Sequence, residues 1–108
     1  MPDFPLQATP HRLVTVVAER IVRDDLVAAI HRLGATGHTL TDVSGEGTRG
    51  VHANTWEGAS VKIEAIVPHD VADRIVAHVA ETYFAHHAVI VYLQDVAVLR
   101  SSKYAPDR

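Results

Sequence analysis

The residues with the clearest chemical potential are Ser44-Gly45-Glu46-Gly47-Thr48-Arg49. Two glycines leave main-chain N–H groups uncovered, a hydroxyl can donate, and a guanidinium close by can fork onto a phosphate or carboxylate. The surrounding stretch, residues 41–60, holds four of the six glycines in the chain, so its backbone admits close approach. It lies between two strand-like runs, and a connection this long in a small domain either carries function or lacks fixed structure. A solvated hairpin loop with an incidental arginine is the competing reading of these six residues alone.

Histidine is abundant, with eight in 108 residues: His11, His31, His38, His52, His69, His78, His86 and His87. None forms a His-x-x-x-His pair or a Glu-flanked helical ligand set, and His86-His87 is adjacent rather than spaced along one face. The pattern predicts no metal site. Asp24-Asp25 is explained by favourable charge at a helix start, and no nucleophile stands beside a positioned base, so no catalytic residue and no enzyme is expected. Asp42, Glu46 and Glu57 near the loop leave weak nucleotide hydrolysis as a minor alternative. Cysteine is absent, which excludes disulfides and thiolate chemistry. The formal charge is −3 and the basic residues are scattered, so nucleic acid is not an expected partner.

The elements that must position the loop follow from periodicity. Residues 1–11 contain Pro2, Pro5 and Pro10 and read as an extended N-terminal arm. Residues 12–19 are a nearly unbroken β-branched run, which suggests a strand buried on both faces. Arg23-Asp24-Asp25 opens a helix whose apolar stripe is Val22, Leu26, Ile30 and Leu33, and Gly34 closes it. Residues 37–43 read as a short strand leading into the loop. Val61, Ile63, Ala65 and Val67 alternate with Lys62, Glu64 and Ile66 in a third strand. Asp70 is a candidate N-cap for a second helix buried through Ala72, Ile75, Val76, Val79 and Tyr83. A last strand spans Ala88 to about Leu93, followed by a separate apolar stretch at Val96-Ala97-Val98-Leu99.

The order is β-α-β-β-α-β, an α+β ferredoxin-like fold: a four-stranded antiparallel sheet with two helices on one face. The first and last strands are apolar on both faces, and two helices cover only one. A homo-oligomer is the expected solution, because a bare apolar sheet is an aggregation hazard. No run of about 18 apolar residues is present, so no membrane insertion is expected, and the chain is expected to be cytoplasmic.

Several segments, taken in order, carry a family resemblance. They are Ala18-Glu19-Arg20-Ile21, Gly34-Ala35-Thr36-Gly37-His38-Thr39, Gly45-Glu46-Gly47-Thr48-Arg49-Gly50-Val51, Val61-Lys62-Ile63-Glu64, Tyr83-Phe84 and Ala88-Val89-Ile90-Val91-Tyr92. Over roughly residues 13–99 the chain resembles the PII signalling superfamily, and more closely its PII-like branch tied to inorganic carbon, the bicarbonate-transporter-associated and carboxysome-associated proteins. The resemblance implies a homotrimer whose domain spans residues 12–104, with a T-loop at about 44–58 and a tail at 105–108. It implies adenine nucleotide, ADP or AMP, bound between subunits, a response to bicarbonate, and signalling through the T-loop to a transporter or carboxysome-linked partner. Gly45, Gly47, Thr48 and Arg49 match the family's phosphate contact. Val89 and Ile90 match the segment whose main chain reads the adenine edge. Arg100 and Lys103 lie where a C-terminal basic residue reaches phosphate from the next subunit.

The chain departs from the family pattern in ways that refine these expectations. The Thr-Gly-x-x-Gly-Asp-Gly-Lys segment with which nitrogen-sensing members grip ATP is missing, so Mg-ATP and 2-oxoglutarate binding are not implied. The loop has no tyrosine for nucleotidylation, and no cysteine pair exists for a redox-controlled C-terminal loop. His52 stands where relatives often carry a basic residue, which favours AMP or ADP over a triphosphate. Trp56, the only tryptophan, should change its fluorescence if ligand orders the loop. A trimeric divalent-metal-responsive protein of similar fold, as in the divalent-cation-tolerance family, is the alternative function.

Overall fold

The computed structural model describes residues 7–45 and 60–99. Within them the elements run β1 (Thr9–Glu19), a short 3-10 turn (Arg20–Val22), α1 (Arg23–Arg32), β2 (Thr39–Val43), β3 (Ser60–Val67), α2 (His69–Tyr83) and β4 (Ile90–Val98). The four strands form one antiparallel sheet in the order β2-β3-β1-β4, the expected α+β ferredoxin-like arrangement. No helix among the described residues is long and apolar enough to cross a membrane.

Register decides which side chains share a face. Val14, Val16 and Ala18 of β1 stand opposite Ala65, Ile63 and Val61 of β3, and all six are buried. Leu26 and Ile30 of α1 and Val71, Ala72, Ile75, Val79 and Tyr83 of α2 close over them as one core. Each fully buried aliphatic side chain contributes on the order of 1.5–3 kcal/mol, which fixes both helices to this face. The residues of opposite parity, Leu13, Thr15 and Val17 of β1 with Ile90, Tyr92 and Val96 of β4, form the other face. Ile90 is 59% exposed and Tyr92 44% exposed, so the sheet keeps an apolar surface that neither helix covers.

Five expectations change in detail. The arm does not run to His11: β1 begins at Thr9, and Pro10 lies in it opposite Ala97. Pairing with β3 stops at Arg12, so only β4 lies beside Pro10 and its missing N–H breaks no ladder on the other side. The last strand does not start at Ala88 or break at Gln94-Asp95, because β1 extends beside it and pairs continuously from Ile90 to Val98. The second strand starts at Thr39 rather than at residue 37. Asp70 is not the cap of α2. Pro68 holds that position without a side-chain bond, and Asp70 instead accepts from Arg74 Nη1 one turn later, at 3.3 Å. Val76 is only partly buried, and Val71 takes a core position in its place.

Candidate functional site

Antiparallel pairing gathers one end of every strand. Val43, the last residue of β2, and Glu19, the last of β1, both stand opposite Ser60, the first of β3, while Ile90 opens β4 opposite Val17. Helix α2 runs back along the sheet and ends at Tyr83 on the same side. The segment from Phe84 to Val89 therefore enters β4 at the same sheet end as that where residues 44 and 45 leave β2, with β3 and β1 lying between these two edge strands. These two segments are the ones the sequence singled out, and the fold brings their roots to one sheet end.

Two consecutive residues at the end of β1 hold those roots. Glu19 Oε1 accepts from His87 Nδ1 at 2.9 Å, which ties the approach to β4 onto β1. Arg20 Nη2 lies 3.3 Å from Asp42 Oδ1, which ties the end of β2 onto the 3-10 turn. The Arg20 guanidinium thus offsets the Asp42 charge where an anion would approach, and the His87 ring N–H satisfies a Glu19 oxygen. His87 is also held from behind. Its main-chain N–H donates to Tyr83 O at 2.9 Å, and its ring meets the Tyr83 ring edge-on at 5.7 Å. Tyr83 is buried, and burial followed by the Asp25 carboxylate pushes its phenol above the usual range, against a smaller opposing effect of Arg32.

The predicted site residues fall as follows. Gly45 is exposed at the exit from β2, and a Cβ built there would meet nothing within 4 Å, so packing does not demand glycine and the backbone stays accessible. Val89 is half-buried against the core, and Ile90 is exposed at the start of β4. Because β4 is an edge strand of this sheet, alternate main-chain N–H and C=O groups along it face outward and can read the edge of a planar base. Gly47, Thr48, Arg49, Arg100 and Lys103 lie outside the described residues, as do most of the T-loop span at 44–58, Trp56 and the tail at 105–108. Sequence reasoning missed Glu19, Arg20, Asp42 and His87 as a group. Charged residues directly after an apolar β-branched run, where a strand must turn, were the available signal.

The model of the family described as nitrogen regulatory protein P-II matches residues 11–103. The chain belongs to the P-II family. A proposed PII-like signalling protein from Thermus thermophilus is 45% identical in sequence, covering 91% of this chain and 98% of that one, with a TM-score of 0.79. CPII from Thiomonas intermedia K12, a nitrogen regulatory PII-like protein solved with ADP, AMP and bicarbonate, superposes with a TM-score of 0.83 over 94% of this chain and 99% of that one. Their identity is 21%, so this likeness carries the fold alone. Nitrogen regulatory protein P-II 1 of Escherichia coli K12 is 36% identical over 67 residues, 55% of this chain and 60% of that protein. The chain thus matches under two thirds of the length of that curated P-II relative.

Proposed function

We propose that this P-II family chain is a trimeric signalling protein that binds ADP or AMP, with bicarbonate as a second ligand, and that it belongs to the inorganic-carbon branch of the family. The observation that carries the reading is the placement of two segments at one sheet end, on its opposite edges, where neighbouring copies would bring one against the other. There the root of the glycine-bearing loop and the edge-strand segment at Val89 and Ile90 are pinned by Arg20–Asp42 and His87–Glu19. Phosphates would contact Gly45, Gly47, Thr48 and Arg49, the adenine edge would meet main chain at Val89 and Ile90, and Arg100 and Lys103 would reach in from the neighbouring subunit. The apolar sheet face around Tyr92 supports a trimer, because self-association would remove it from water. Binding of the same ligands by CPII supports the choice of nucleotide and of bicarbonate. The role is regulatory, with a transporter or carboxysome-linked protein as the partner that the loop engages.

Calorimetric titration with AMP, ADP, ATP and cyclic AMP, each with and without bicarbonate, tests the proposal. ADP or AMP should bind, and Arg49→Ala should abolish it. Absence of heat with every nucleotide at millimolar ligand overturns the reading.

A further inference from the structure

Two opposite charges stand on the sheet face that neither helix covers. Lys62 lies opposite Val17 of β1 and Thr41 of β2, and Glu64 lies opposite Thr15 and Thr39, so both share the face of Ile90 and Tyr92. Both are half-buried, and they are only two positions apart on one strand. Neither takes part in a hydrogen bond or ion pair among the described residues. Their cross-strand neighbours carry no charge, and Glu19, the other carboxylate on the strands of this face, already accepts from His87. We propose that Lys62 of one copy pairs with Glu64 of the next, three times around the trimer, and that this pairing directs how the sheet faces join. The inference rests on the trimer proposed above and adds the residues that guide its assembly.

The need for a partner follows from what association does to these two groups. Val17 and Ile90 continue the row of Lys62 across the sheet, and Thr15 and Tyr92 continue the row of Glu64. Covering the apolar members of those rows with another copy therefore takes both charges out of water as well. An ion left unpaired in such a seam opposes association, whereas an opposite charge brought across the seam by the neighbour removes the penalty.

Symmetry supplies that charge. In a three-fold assembly the copies of Glu64 fall on one ring about the axis and the copies of Lys62 on another, with the two residues about 6.8 Å apart along the strand. Charges within a ring repel and charges between the rings attract, and the flexible four-carbon stem of lysine spans the gap. Each copy gives its ammonium to one neighbour and its carboxylate to the other. That is a head-to-tail contact, which closes into a ring after three steps and leaves no net charge from these residues in the seam.

Charge reversal in the full-length chain tests this, with mass read by light scattering and sedimentation over a range of concentrations. Wild type should be a trimer. Lys62→Glu and Glu64→Lys should each raise the concentration at which the trimer half-dissociates by about tenfold or more, because each makes the two rings alike in sign. The double variant Lys62→Glu/Glu64→Lys exchanges the rings and should recover most of that loss. Glu81→Lys, the same change of charge on the exposed surface of α2, should leave the trimer as it is. Circular dichroism establishes that each variant is folded. Wild-type trimer stability in both single variants, or no recovery in the double variant, overturns the pairing while the trimer itself stands. A wild type that does not form trimers overturns both.

Discussion

His87 Nδ1 meets Glu19 Oε1 at 2.9 Å, joining residues 68 positions apart at the sheet end where the candidate nucleotide site lies. The pair is partly shielded from water, so its hydrogen bond counts for more than an exposed one. His87→Ala should cost about 1 kcal/mol in denaturant unfolding and lower ADP affinity several-fold, because the approach to β4 loses its anchor. Glu19→Gln keeps a carbonyl acceptor and should recover most of both. Equal ADP affinity in wild type and His87→Ala would show that this contact does not position the site.

Gly34→Ala should destabilise the fold by about 2 kcal/mol or more. Its φ of +130° is a backbone region closed to L side chains, and the added carbon would sit 2.9 Å from Val71 Cγ2. Val71→Ala in the same chain relieves the second problem and leaves the first, so the double variant should stay below the Val71→Ala single variant in thermal unfolding.

Alkaline pH should unfold the protein partly through Tyr83. Burial holds its phenol above the usual value, so the folded chain keeps a proton that the unfolded chain releases, and stability falls as pH rises past about 10. Tyr83→Phe removes that proton and should flatten the pH dependence of the melting temperature above about pH 10. An unchanged alkaline slope in Tyr83→Phe would assign the loss to other groups.

Tyr92→Asp should shift the proposed trimer towards monomer in light scattering. The side chain stands on the uncovered sheet face next to Thr15, where a carboxylate is harmless in a single subunit but costly once buried between copies. Far-ultraviolet circular dichroism should not change, since Tyr92 is outside the core cluster.

The sequence by itself determined the element order, the core and the loop that interrupts the sheet. Periodicity at β3 and the apolar stripes of α1 and α2 required no distant information, since alternation and helical spacing are local consequences of burying one face. Strand limits were less legible. Pro10 and Gln94-Asp95 look like breaks when read locally, yet Pro10–Ala97 and Gln94–Leu13 are steps of one ladder whose register is set by the whole sheet.

Only the tertiary structure decided which polar residues meet. Glu19 with His87, Arg20 with Asp42 and His31 with His38 are separated by 68, 22 and 7 positions, and no spacing rule along one helix or strand connects them. The last pair meets because Gly34 turns the chain back and α2 holds the turn. Periodicity along one helix face has no means of showing that, because the geometry belongs to the packing of two elements.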